Sequence, residues 1–215
     1  MAHSTAHTAA YISDQQFSKK MQALVEHSLK LMNPKISRVN FFPGRGDLPV
    51  DETRYIDKYM GCDGTIVINI KEGRDVVNTF QSKIRRAKYS RYGELTLETD
   101  SNKFGAQGEM FHLGSQFYIY GYANKLETGI DKLWVLDVNV LTRYMIDNID
   151  RLERNEKQNF SRSTARFITI PFNDLEQVPG MVVLKGGSVL EMTDKTQEVP
   201  FTPRKTILGH DRSAR

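Results

Sequence analysis

The feature that most constrains the fold is a pair of β-branched runs between residues 57 and 98. Residues 65–70 read Thr-Ile-Val-Ile-Asn-Ile, and residues 76–83 read Val-Val-Asn-Thr-Phe-Gln-Ser-Lys. A turn that contains Gly73 separates the two runs. Two such runs joined by a glycine-containing turn are typical of a β-hairpin. We therefore expect two antiparallel neighbours in a sheet.

This hairpin would carry polar residues to one end of the sheet. Asp63 heads the first strand, and Gln81 and Lys83 end the second. Because side chains alternate along a strand, Gln81 and Lys83 share one face, and folding back at Gly73 brings them towards Asp63. A carboxylate, an amide oxygen and an ammonium that meet in this way suit a hard cation and a phosphate group.

Length and composition favour a single domain with a packed core. The chain has 215 residues, 39% of them hydrophobic, with a formal net charge of +4 and a pI of about 9.1. One domain of about 150–200 residues with short extensions fits this length, and the mild basic bias permits a polyanionic partner. Cys62 is the one cysteine, which excludes an internal disulfide and a Cys-based zinc cluster.

The order of the remaining elements predicts an α/β (α+β) fold, with a central mixed β-sheet flanked by helices. Apolar residues recur at helical spacing between Asp14 and Met32. Apolar runs predict further strands, and a second apolar stripe predicts a later helix. The expected strands lie at residues 36–42, 51–60, 117–122, 133–138 and 165–172, and the later helix lies at 141–152.

We divide the chain into three parts. Residues 1–13 are predicted to be a flexible leader, residues 14–180 the domain, and residues 181–215 a C-terminal extension that is partly extended or disordered. No run approaches the ~18 apolar residues of a membrane span, and the N-terminus lacks the pattern of a signal peptide. We therefore expect a cytoplasmic protein without a membrane partner.

The order of these features resembles the PD-(D/E)XK nuclease superfamily. The shared features are a helix, an acid at the head of a strand, and a following strand that ends in a short motif with lysine. The Gln form of the motif, here Gln81-Ser82-Lys83, is similar to the variant of methyl-directed restriction endonucleases. The resemblance covers roughly residues 14–155. It implies a restriction-endonuclease-like core in which Asp63 binds the metal and Lys83 is the catalytic lysine.

The resemblance implies a metal-dependent nuclease that hydrolyses phosphodiester bonds, with DNA as the expected substrate and RNA as the alternative. Mg²⁺, or Mn²⁺ in its place, would be held by Asp63 and the side-chain oxygen of Gln81, together with a backbone carbonyl and waters. Lys83 would orient or deprotonate the attacking water, or stabilise the pentavalent phosphate. The resemblance also allows a homodimer, because many nucleases of this type cut both strands as dimers.

A second carboxylate could complete the metal site. Glu26 lies on the predicted first helix, where the family occasionally carries an acid, and Glu98 lies with Glu94 on the strand after the hairpin. We take Glu26 and Glu98 as further candidate metal ligands. The alternative is that Glu26 belongs to a solvated helix flank, and that Glu94 and Glu98 form the solvated side of a strand.

A basic tract follows the motif. Residues 83–91 contain five cations and no acid. Beyond a phosphate-cleaving lysine, the other four cations would contact a nucleic-acid backbone. These candidate nucleic-acid-binding residues are Arg85, Arg86, Lys88 and Arg91. The alternative is an ordinary charged surface turn.

Two other classes of function stay open. Gln81 stands where the family usually has its second carboxylate, which favours a catalytically inactive nuclease-like fold that binds nucleic acid or protein. The third class is a structural or assembly protein in which the Gln-x-Lys spacing is a coincidence.

Overall fold

The computed structural model describes residues 3–42, 61–71, 73–100, 107–158 and 165–187. The helices are α1 (His3–Met32), α2 (Val138–Asp147), α3 (Ile149–Arg154) and α4 (Phe172–Gln177). The strands are β1 (Ile36–Phe41), β2 (Gly64–Lys71), β3 (Arg74–Arg85), β4 (Glu94–Asp100), β5 (Phe117–Ala123), β6 (Ile130–Asp137), β7 (Lys157–Gln158), β8 (Arg166–Pro171) and β9 (Val182–Gly186). Short 3-10 helices lie at Ala87–Tyr92 and Glu109–His112.

A mixed sheet of six strands lies at the centre, in the order β1-β2-β3-β5-β6-β9. Its neighbouring strands run antiparallel except β3 and β5, which are parallel. The predicted fold class, a central mixed sheet flanked by helices, is confirmed. The predicted hairpin is β2–β3, and its turn contains Gly73 with φ of 79°, a left-handed conformation that glycine adopts at little cost.

A second sheet of three strands, in the order β4-β8-β7, was not predicted. Parallel neighbours such as β3 and β5 need a crossover connection, and β4 lies within this one. After β3 the chain leaves the central sheet through the 3-10 helix Ala87–Tyr92, which ends at Gly93 with φ of 58°. β4 then pairs with β8 instead of extending the hairpin.

The two faces of the central sheet bury different side chains. On one face, α1 packs its buried stripe against the sheet through Val25, Leu29, Ile66, Phe80, Ile119 and Val135. On the other face, side chains of the central sheet share a core with the second sheet and with α2, α3 and α4. That core includes Tyr118, Tyr120, Tyr122, Trp134, Leu97, Ile168, Leu141 and Phe172.

Three expectations about individual elements need correction. α1 begins at His3, so residues 3–13 are helical and not a flexible leader. β9 pairs with β6, which places its apolar residues in the sheet and not in a C-terminal extension. The helix expected over 141–152 is two helices that meet at Asn148. β8 is the middle strand of the second sheet, and Pro171 is tolerated there because it is the last residue of the strand.

The strand expected over 51–60 lies outside the described residues, as do residues 188–215. Within the ranges that the structure describes, none of the helices is both long enough and apolar enough to cross a membrane.

Candidate functional site

Strand pairing places the Gln-x-Lys motif on the face of the sheet away from α1. In the parallel register of β3 and β5, the paired residues are Gln81 with Tyr118, Lys83 with Tyr120, and Arg85 with Tyr122. The alternate positions of β3 are occupied by Phe80 and Ile84, which pack on the α1 side. The period-2 alternation of the strand therefore separates a polar row from an apolar one.

The two motif side chains converge on Glu109, a residue that the sequence did not single out. Glu109 Oε2 lies 2.5 Å from Lys83 Nζ, and Glu109 Oε1 accepts a hydrogen bond from Gln81 Nε2 at 3.4 Å. The Tyr118 hydroxyl donates to the same Oε1 at 2.5 Å. The Glu109 side chain is only 14% exposed and that of Lys83 only 25%. The Glu109 carboxylate therefore accepts hydrogen bonds from side chains of both β3 and β5.

Opposing effects act on the Lys83 ammonium. Burial alone would lower its pKa, but the charge and hydrogen bond of Glu109, with a smaller contribution from the charge of Glu98, raise the pKa above the ordinary value of lysine. Lys83 Nζ also donates to the Thr96 carbonyl at 3.3 Å, which anchors the side chain to β4. The ammonium is thus held between the two sheets.

Tyr118 is held as a hydrogen-bond donor. Burial, and after it the negative charge of Glu109, raises the pKa of the Tyr118 hydroxyl well above the ordinary value. The hydroxyl therefore stays protonated at neutral pH and keeps donating to the Glu109 carboxylate.

Asp63 reaches the same end of the sheet. Its backbone amide donates to the Phe80 carbonyl at 2.8 Å. Its Oδ2 accepts from the Ser82 backbone amide at 2.6 Å and from the Ser82 hydroxyl at 3.1 Å. The fold therefore brings Asp63 to the Gln81-Ser82-Lys83 segment, as the hairpin predicts. The carboxylate of Asp63, however, is hydrogen-bonded to Ser82 and not to Gln81 or Lys83 in these contacts.

The side-chain oxygen of Gln81 is a buried acceptor. Within the described part of the chain, Gln81 Oε1 is buried and has no hydrogen-bond partner. Its orientation is determined by the Nε2 contact with Glu109, since the opposite amide orientation would set two oxygens against each other. A buried acceptor without a donor costs free energy, so this atom is a candidate for binding a ligand.

The other predicted acids lie elsewhere. Glu26 is on α1, on the opposite side of the sheet from the motif side chains, and forms an ion pair with Lys30 at 2.7 Å. Its expected role as a metal ligand therefore has no support in this arrangement. Glu94 pairs with Lys157 at 3.4 Å. Glu98 is close enough to act on the pKa of Lys83.

The four candidate nucleic-acid-binding cations do not form one surface. Arg85 points inward, donates to the Thr96 hydroxyl at 2.9 Å and lies 4.1 Å from the centre of the Tyr89 ring. Arg86 forms ion pairs with Glu127 and Asp14, so it joins α1 to the β5–β6 turn. Lys88 and Arg91 are exposed, and no carboxylate pairs with either within the described residues. Only these last two keep the expected surface position.

The oxygen atoms at this site are of the types that bind a hard cation. Asp63, Gln81 and Glu109 offer carboxylate and amide oxygens, which Mg²⁺ prefers, and the unpartnered Gln81 Oε1 is one such atom. In the described ranges, no three His, Cys, Asp or Glu side chains are grouped so as to hold a metal. A cation here would therefore depend on the amide oxygen of Gln81 in addition to two carboxylates.

Sequence reasoning missed Glu109 because no local pattern marks it. The contact of Glu109 with Lys83 spans 26 positions of the chain. Comparisons of this chain with protein-family models, with curated proteins and with solved structures each returned no significant match.

Proposed function

We propose that this protein is a metal-dependent nuclease that hydrolyses phosphodiester bonds, with DNA as its substrate. The observation that supports the proposal is the convergence of Gln81 and Lys83 on one carboxylate, at the sheet end to which the hairpin also brings Asp63. Mg²⁺, held by Asp63 and Gln81, would act as a Lewis acid on the phosphate and activate a water.

Lys83 supplies positive charge in this proposal. In the present arrangement its ammonium donates to Glu109 and to the Thr96 carbonyl. An ammonium has three donors, so a third remains for a phosphate oxygen whose negative charge grows in the transition state. Of the roles left open by the sequence, this geometry disfavours deprotonation of the water, because Lys83 is the donor in both bonds and its pKa is raised.

Lys88 and Arg91 support a nucleic-acid substrate. Both are exposed, and both lie in the 3-10 helix that directly follows β3. Exposed cations near a phosphate-cleaving site would contact the nucleic-acid backbone and make binding salt-dependent. RNA as substrate and assembly into a homodimer remain predictions.

A cleavage assay tests the proposal. Supercoiled, linear and single-stranded DNA, and RNA, are incubated with Mg²⁺, Mn²⁺ or EDTA. We expect metal-dependent cleavage that falls at least ~10²-fold in Lys83→Met and in Asp63→Asn. Glu26→Gln is the matched control and should cleave as the wild type does, because Glu26 lies across the sheet. Circular dichroism verifies that each variant is folded.

A second candidate function is a nuclease-like fold that binds nucleic acid without cutting it. The ion pair between Lys83 and Glu109 favours it, because the lysine charge is already neutralised. Salt-dependent binding without cleavage under any metal condition would replace the nuclease proposal with this one. Absence of both binding and cleavage would contradict both proposals and leave a structural role.

A further inference from the structure

We infer that three donors on β3 and β5 form a binding site for a phosphate group, and that the Glu109 carboxylate occupies and closes this site. The donors are the Lys83 ammonium, the Tyr118 hydroxyl and the Gln81 side-chain amide. A phosphate group binds when Glu109 leaves them, so Glu109 is an internal competitor of the ligand. The inference deepens the proposed function, on which it rests for the role of the bound phosphate, and it assigns the regulation of that site to Glu109.

The three donors surround an anion. Lys83 Nζ lies 2.5 Å from Glu109 Oε2, and Glu109 Oε1 accepts from the Tyr118 hydroxyl at 2.5 Å and from Gln81 Nε2 at 3.4 Å. Together they offer one positive charge and no negative charge, because burial keeps the pKa of the Tyr118 hydroxyl well above its ordinary value. Phosphate oxygens, like those of a carboxylate, accept charge-assisted hydrogen bonds. The donor set therefore suits an oxyanion.

The donors are held in place by contacts that do not involve Glu109. Gln81 and Lys83 lie on β3 and Tyr118 on β5, which pair in parallel register, and Tyr118 is fully buried. Lys83 Nζ also donates to the Thr96 carbonyl at 3.3 Å. That bond uses one of the three ammonium donors, so two would be available to a ligand once Glu109 has left. The site is therefore preorganised, which lowers the entropic cost of binding.

Glu109 is carried by a much smaller element than its donors. The 3-10 helix Glu109–His112 has four residues, none of them fully buried, and the Phe111 side chain is 56% exposed. Short elements with few buried side chains open at lower free energy than the strands of a core. Glu109 can therefore leave the donors by a local opening that does not disturb β3 or β5.

The departure of Glu109 changes the charge of the site. In the closed form the Glu109 carboxylate neutralises the Lys83 ammonium. In the open form the ammonium loses this contact, and its positive charge attracts the phosphate group. Because only the open form binds, the apparent affinity of the wild type is the affinity of the open site reduced by the open fraction.

Titration calorimetry with inorganic phosphate and with single-stranded oligothymidylate tests the inference, in EDTA so that no metal contributes. Glu109→Ala should bind both at least ~10-fold more tightly than the wild type, since a minor open form is commonly populated to at most ~10%. The matched control is Glu94→Ala, which removes a carboxylate paired with Lys157 and changes the net charge equally. It should change either affinity less than ~3-fold, because a distant exposed charge is screened.

A second variant locates the bound phosphate. Lys83→Met in the Glu109→Ala background should abolish the gain, because it removes the ammonium. The inference is overturned if Glu109→Ala binds inorganic phosphate no more tightly than Glu94→Ala, as a purely structural ion pair predicts, or if the gain persists without Lys83. If circular dichroism shows that Glu109→Ala is unfolded, Glu109→Asp replaces it. Its carboxylate is shorter by one methylene and cannot keep all three contacts, so phosphate should again bind more tightly, and an unchanged affinity would overturn the inference.

The binding test and the cleavage test fail separately. Tighter binding of both probes in Glu109→Ala, with a wild type that cleaves no nucleic acid under any metal condition, would support the inference and contradict the nuclease proposal. Metal-dependent cleavage without a gain in Glu109→Ala would do the reverse. A gain for inorganic phosphate alone would support the phosphate site and identify free phosphate or a phosphomonoester as its ligand, in place of a nucleic-acid backbone.

Discussion

The two faces of β3 are built on different principles. On the side of α1, Phe80 is fully buried, and its ring meets that of Phe41 edge to face, with 5.1 Å between the centroids. On the opposite side, Gln81 and Lys83 contact the carboxylate of Glu109, which also accepts a hydrogen bond from the Tyr118 hydroxyl. The apolar side stabilises the fold in proportion to the apolar area that it removes from water. On the polar side, each buried donor or acceptor that lacks a partner costs free energy.

This difference has a consequence for mutations. A side chain on the apolar face contributes chiefly to stability, because burial of apolar area is not directional. A side chain on the polar face contributes less net stability, because the cost of desolvating charges offsets much of their attraction. The polar face is therefore where a function can be placed, and the apolar face is where the fold is secured.

The largest effect is expected on the apolar face. Phe80→Ala should lower the free energy of unfolding by about 3–5 kcal/mol, because it removes a fully buried ring and leaves a cavity. Urea denaturation measures the change. The control is Val77→Ala on the same strand, where the side chain is 57% exposed and a loss of no more than ~0.5 kcal/mol is expected. Similar losses in the two variants would contradict the assignment of faces.

A smaller effect is expected when the ion pair is broken. Lys83→Met and Glu109→Gln should each cost about 1–3 kcal/mol, because each leaves a mostly buried polar group without its partner. The double variant should cost less than the sum of the two single variants, because it removes both charges together. Urea denaturation of the wild type, the two single variants and the double variant completes this double-mutant cycle. Additive losses would show that the two side chains do not interact in solution.

The smallest effect is expected from pH. The folded pKa of Lys83 is raised by Glu109, so the pair stabilises the fold fully below the ordinary lysine pKa, about 10.4. That contribution should disappear as pH rises through the higher folded pKa. The stability advantage of the wild type over Lys83→Met should therefore be constant from about pH 8 to 10 and shrink above this range.

Lys83→Arg provides the control for this pH dependence, since arginine stays charged in that range and should retain any advantage it has. An advantage that grows with rising pH would contradict the assigned direction of the Lys83 pKa.

Local patterns account for the parts of the fold that were predicted. The β2–β3 hairpin follows from two β-branched runs and a turn with Gly73, all within a short stretch of chain. The alternation along β3 correctly placed Gln81 and Lys83 on one face. The start of α1 was misplaced because a small, polar, alanine-containing segment has no apolar stripe, yet alanine favours helix.

Contacts between distant elements account for the parts that were missed. The basic tract is uniform in sequence, but Arg86 turns towards Glu127 and Asp14, whereas Lys88 stays exposed. β4 was expected in the same sheet as the hairpin and instead pairs with β8. Neither outcome is encoded in a local period, because each depends on which surfaces meet when the chain packs.

The sequence by itself determined the hairpin, the class of fold, and the residue types that could meet at the end of β3. Only the tertiary structure selected Glu109 from the acids of the chain and directed its carboxylate to Gln81 and Lys83. The physical reason is the distance along the chain over which each kind of interaction acts. Side-chain alternation and turn preferences act over a few residues, whereas a buried ammonium is paired with whichever carboxylate the packing of separate elements brings to it.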